Sequence, residues 1–74
     1  MRITSTDQQI DYNVIAKNSE FFSKIELDLY NNYEKYRYSE NFFLVGGKKI
    51  NKNISLKDNK IKNNDILTLC IFDE

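Results

Sequence analysis

Asn41-Phe42-Phe43-Leu44-Val45-Gly46-Gly47-Lys48-Lys49-Ile50 and, beyond a polar loop, Asp65-Ile66-Leu67-Thr68-Leu69-Cys70-Ile71-Phe72 are the stretches that decide the fold. Residues 42–45 are aromatic and aliphatic without a break, which suits a strand. Gly46-Gly47 is a two-residue turn, since tight hairpin turns need backbone angles that glycine adopts freely. Lys48-Lys49-Ile50 is then a short returning strand. In the loop that follows, Ile54, Leu56 and Ile61 are isolated apolar residues spaced to plug a core. Residues 65–72 form the strongest strand of the chain, apolar on both faces.

Upstream, Ile10, Tyr12, Val14 and Ala16 recur at period two, with Asp11 and Asn13 between them, as in a half-buried strand. Ile3 sits in a polar, β-capable segment, and Thr6-Asp7-Gln8-Gln9 reads as the turn of a hairpin joining the two. Asn18 or Ser19 is placed to cap a helix, with Glu20 in its first turn. Phe22, Ile25 and Leu29 then recur at helical spacing for about three turns, ending near Asn31-Asn32. Ser23, Lys24, Glu26 and Asp28 fall mainly on the solvated side. Tyr33 to Tyr38 has no clean period and reads as a connection pinned by tyrosine rings. The expected class is α+β: a mixed sheet of four to five strands packed on one helix, in the order ββαβββ. The expected core is Ile3, Val14, Phe22, Ile25, Leu29, Phe43, Val45, Ile50, Leu56, Ile61, Leu67 and Leu69.

Seventy-four residues make one domain, 1–74, with room for a core but little for a deep pocket as well. With no histidine in the chain, Ser-His and Cys-His catalysis and imidazole ligation are excluded. A single cysteine, Cys70, forms neither an internal disulfide nor a cysteine zinc site, and it is expected to be neither nucleophile nor ligand. No apolar run approaches the length of a membrane span, and the N-terminal residues lack an apolar signal core. A cytoplasmic or nuclear location is expected. Zero net charge hides an uneven distribution, −2 over residues 1–40, +5 over 41–64 and −3 over 65–74. The lysine-rich middle reads as a solvated face, and nucleic acid is the less favoured partner, because arginine is the residue suited to bidentate contacts. The tyrosines read as cover for an open core end rather than as a stacking platform for bases.

Phe43-Leu44-Val45-Gly46-Gly47-Lys48-Lys49-Ile50 resembles the ubiquitin-family pattern of an apolar strand, a small-glycine turn, a lysine and an apolar residue. The likeness continues without a gap through Ser55-Leu56-x-Asp58-x-x-Ile61 and the closing Asp65-Ile66-Leu67-Thr68-Leu69. Upstream, Ile3 with Tyr12, Val14 and Ala16 looks like the family's first hairpin, and Phe22, Ile25 and Leu29 like its helix core. The resemblance spans the whole chain and implies a β-grasp fold. It departs from ubiquitin-like modifiers at the C-terminus, where Phe72-Asp73-Glu74 replaces the Gly-Gly tail whose carboxylate is adenylated. Unless a tail was removed, conjugation is therefore not expected. The prolines and glycine that follow ubiquitin's helix are also missing.

If Phe43, Val45, Leu67, Leu69 and Ile71 face the helix, alternation sends Phe42, Leu44, Ile66, Thr68, Cys70 and Phe72 to the outer sheet face. The resemblance implies that this face is the docking surface. Leu44, Thr68 and Cys70 would occupy ubiquitin's patch positions, and Phe42 and Phe72 would replace basic residues. Phe42, Leu44, Thr68, Cys70 and Phe72, rimmed by Lys48 and Lys49, form the expected protein-binding site. The expected function is a non-conjugated ubiquitin-like docking or adaptor module of the ubiquitin–proteasome pathway, binding a receptor-like or assembly-subunit protein. The alternative is a modifier, or a fusion-derived ubiquitin-like protein, whose Gly-Gly tail is missing. No enzyme activity, cofactor, metal, membrane or small-molecule substrate is expected.

Overall fold

The computed structural model describes residues 1–72, so the expected acidic end, Asp73-Glu74, lies outside them. The elements are β1 (Arg2–Ser5), β2 (Asp11–Asn13), α1 (Phe22–Asn32), a 3-10 helix (Glu34–Tyr38), β3 (Asn41–Val45), β4 (Lys48–Lys49) and β5 (Ile66–Ile71). The strands join into one mixed sheet of order β2-β1-β5-β3-β4. β1 and β5 run parallel at its centre, with Ile3 beside Leu67, and the other pairs are antiparallel. One helix on a five-stranded mixed sheet is an α+β arrangement compatible with a β-grasp.

Alternation along the strands sets the inner face. Ile3, Phe43, Leu67 and Leu69 are fully buried there, against Phe22, Ile25 and Leu29 of α1. Phe22 meets Phe43 edge-on, with ring centroids 4.8 Å apart. Ile50, Leu56 and Ile61 plug the remaining side as expected. Val14 and Val45 are only half-buried, because one lies beyond the end of the edge strand β2 and the other at the mouth of the Gly46-Gly47 turn. Ile71 keeps the inward parity of Leu67 and Leu69, but it lies at the sheet's rim opposite Asn41 and is 41% exposed. Two further residues complete the core, Ile10 and Tyr36.

The start of α1 differs from the expected cap. Neither Asn18 nor Ser19 caps it; the N-cap is Phe21, which makes no side-chain capping bond. The orphan N–H groups of the first turn are met by backbone instead. Phe22 donates to the Ile54 carbonyl (3.3 Å) and Ser23 to that of Lys52 (3.0 Å). Residues 18–23 are thereby joined to the 52–57 loop, whose Leu56 and Lys57 N–H groups donate back to Glu20 and Asn18. The helix does end at Asn32, but through Tyr33, whose φ of −134° is not left-handed. Left-handed angles occur instead at Gln8, Lys60, Gly46 and Gly47. The two glycines give the paired positive φ of a type I′ hairpin.

The β1–β2 turn is held by a polar clasp. Ser5 Oγ accepts from the N–H groups of Gln9 (3.2 Å) and Ile10 (3.1 Å) and donates to Asp7. The other Asp7 oxygen accepts from the buried Tyr36 hydroxyl (2.6 Å), which ties the turn to the 3-10 helix. The Ser5 hydroxyl first, then the Tyr36 hydroxyl, with Gln9 N–H and Lys35 adding, hold the Asp7 carboxyl down to about 2 from its ordinary 3.8. The folded chain thus releases this proton more readily than the unfolded one. The clasp's contribution to stability is intact above the unfolded value of 3.8 and is lost as pH falls through about 2. A nuclear magnetic resonance titration of the Asp7 carboxyl is expected to give a midpoint near 2, with the Tyr36 ring signals moving in step. A midpoint at the ordinary value means the clasp does not form in solution.

Candidate docking face

Strand register assembles the outer face row by row. In one row Thr4, Thr68, Leu44 and Lys49 lie side by side across β1, β5, β3 and β4. In the next, Phe42 lies opposite Cys70. Phe72 follows β5, its N–H donating to the Glu40 carbonyl (2.7 Å), and its ring meets Phe42 edge-on at 6.4 Å. Lys49 Nζ stands 5.7 Å from the Phe42 ring centroid, a cation–π contact at the rim. Phe42, Leu44, Thr68 and Cys70 are half-buried by one another, while Ile66 (56%) and Phe72 (58%) are largely exposed.

Lys48 does not belong to this set. It lies opposite Val45, whose side chain packs against the core, so the two-residue hairpin puts Lys48 on the helix side of the sheet. A closing pair of a hairpin shares one face, and the next residue takes the other. Lys48 instead borders a shallow hollow with Lys60, Lys62 and Asp65. The lysines of residues 41–64 are thus dispersed. Lys49 is on the outer face and Lys48 on the inner one. Lys52 is held inside by Glu26 (2.5 Å), the Asn41 carbonyl (2.8 Å) and the Phe43 ring.

Glu26 also departs from expectation. It is half-buried rather than solvated, and it accepts from the Tyr30 hydroxyl (2.7 Å) as well as from Lys52. Tyr30 in turn accepts from Asn41 Nδ2 (2.8 Å). Burial first, and then the Glu26 carboxylate, push the Tyr30 hydroxyl well above its ordinary range. The cluster ties α1 to β3 and the following loop. Spacing within α1 alone does not reveal it, because its cation comes from Lys52, across the fold. Among the described residues no three His, Cys, Asp or Glu side chains gather as metal ligands would. None of the described helices is long and apolar enough to cross a membrane.

The tyrosine segment does not fold over the outer face. Tyr36 enters the core, and Tyr33 packs edge-on against Tyr12 (6.1 Å) on the inner side. Tyr38 is 88% exposed. Among the described residues, Cys70 Sγ reaches only the Thr68 carbonyl, at 4.0 Å. Thiol labelling of Cys70 at neutral pH is expected to run no faster than in an unstructured peptide; markedly faster labelling indicates an activated thiolate.

No protein-family model matches the chain, and a search of curated proteins returns no match.

Proposed function

We propose that this chain is a ubiquitin-like module of β-grasp type that docks a protein partner non-covalently through its outer sheet face and carries out no chemistry of its own. The observation that carries this reading is the composition of that face. Antiparallel sheet faces turned to water normally alternate to polar residues. Here Phe42, Leu44, Ile66, Cys70 and Phe72 are turned outward, and no described segment covers them. Aromatic anchors with a cationic rim are the composition of an interface centre. The central strand pairing, β1 parallel to β5, and the single helix on the opposite face are consistent with the whole-chain resemblance to the ubiquitin family.

Photo-crosslinking tests the reading. A photoreactive residue at Ile66, on the outer face, should capture one discrete protein from a lysate of the source cells. The same residue at the exposed Asp28, on the helix, should not. Equal capture from both sites rules out the outer face as the docking surface.

A further inference from the structure

We propose that the chain self-associates through the open edge of β2, which pairs antiparallel about Val14 with β2 of a second copy and joins the two sheets into one.

The sheet has two edges, β2 and β4. β4 is two residues long and both are lysines, the usual protection of an edge against pairing. β2 lacks that protection. Residues 11–17 alternate exposed and half-buried without interruption, and Tyr12, Val14 and Ala16 pack against the core, so the extended course continues past Asn13. Met1 and Val14 exchange both backbone hydrogen bonds (3.1 and 2.9 Å). In an antiparallel ladder the intervening residues then turn their N–H and C=O groups away from the neighbour. Asn13 and Ile15 therefore present theirs to the outside, and among the described residues neither has a partner. The Asp11 carbonyl receives the Tyr33 hydroxyl (3.3 Å). Ile15, wholly exposed at 104%, adds an unprotected apolar side chain to the same edge.

The edge is complementary to itself in one register. Pairing about Val14 sets Asn13 opposite Ile15 of the second copy, and the outward N–H and C=O groups of both meet as hydrogen-bonded pairs. It also sets Asp11 opposite Lys17, and two-fold symmetry repeats that pair at the other end. Moving the axis to Asn13 sets Asp11 opposite Ile15, and moving it to Ile15 sets Lys17 opposite Asn13; either shift loses both charge pairs. Asp11 already binds Arg2 through both oxygens (2.7 and 3.0 Å), but its side chain is 64% exposed and has room for a second cation. Lys17 is exposed and has no ion pair among the described residues. On the inner side, a hollow of about 360 Å³ with a mixed lining, Val14, Ala16, Leu56 and Ile61 together with Asn18 and Lys62, opens beside this edge. The second copy's Val14 comes to lie next to it. The pairing leaves the outer faces of both copies uncovered.

Sedimentation velocity over a series from about 10 μM to about 1 mM tests the proposal, since so short an interface belongs to the weak class. Reversible dimerisation is expected. Asn13→Pro removes only an outward N–H, which an edge strand tolerates, and should leave the fold intact while weakening dimerisation about tenfold or more. Lys17→Asp and Asp11→Lys each set like charges across both ends of the pairing and should each be monomeric. Mixed together they restore both opposite-charge pairs and should associate with each other. A wild-type chain that stays monomeric throughout the series overturns the proposal. So does an Asn13→Pro variant that dimerises like the wild type, or a mixture no stronger than its components. Should Asp11→Lys fail to fold, Asn13→Pro still decides, because it leaves the Arg2–Asp11 pair untouched. Dimerisation abolished by Phe42→Asp and not by Asn13→Pro assigns it to the outer face and refutes the edge.

Discussion

Leu67→Ala is expected to cost about 2–5 kcal/mol, enough to unfold a large share of the molecules in so small a domain. Leu67 is wholly buried on β5, between Ile3 of the parallel strand and Val45 of β3. Truncation there removes the packing of several methyl and methylene groups at the point where the two halves of the chain meet. The sheet around it is hydrogen-bonded on both sides and cannot close the gap by moving one strand alone. A chain of this length buries only about 60% of its unfolded surface, so little reserve remains. Urea denaturation measures the loss. The half-buried Val45, truncated to Ala at the hairpin mouth, should cost distinctly less. A Leu67→Ala loss under about 1 kcal/mol contradicts the central placement of β5.

Where hydrophobic period and local structure coincide, the sequence is legible. Period two over residues 10–16 and along residues 66–71 places the correct face inward. Phe22, Ile25 and Leu29 mark the buried stripe of α1, and Gly46-Gly47 marks the turn. What escapes is set by contacts between segments far apart in the chain. Tyr36 lies in an aperiodic stretch, and its burial depends on Asp7, which accepts its hydroxyl across the fold. The start of α1 is decided by the carbonyls of Lys52 and Ile54, so a nearby Asn or Ser is a misleading cue. Glu26 reads as solvated until Lys52 arrives from the loop. Lys48 and Lys49 are alike in sequence, and only the turn length, which fixes the closing pair as Val45 and Lys48, separates their faces.

Those register facts also define the site variants with the largest expected functional effect. Phe42→Asp and Leu44→Asp are each expected to abolish partner binding while leaving the thermal midpoint within a few degrees. Neither side chain belongs to the buried core. In the free domain each new carboxylate stays in contact with water, and at position 42 it stands near Lys49. The thermal cost is then the loss of half-buried packing, in the Phe42 case the edge-on contact with Phe72. In a complex the same carboxylate lies at the centre of an apolar contact and loses its water without gaining a mate. That penalty reaches several kcal/mol and exceeds what the remaining rim contacts restore. Lys48→Glu, on the opposite face, is the matched control and should leave binding unchanged. The readout is recovery of the protein crosslinked at Ile66, alongside thermal denaturation of each variant. Retained capture by both aspartate variants refutes the outer-face assignment. Unfolding of both shows that the face is covered by the chain itself, and the docking reading then fails on stability rather than on binding.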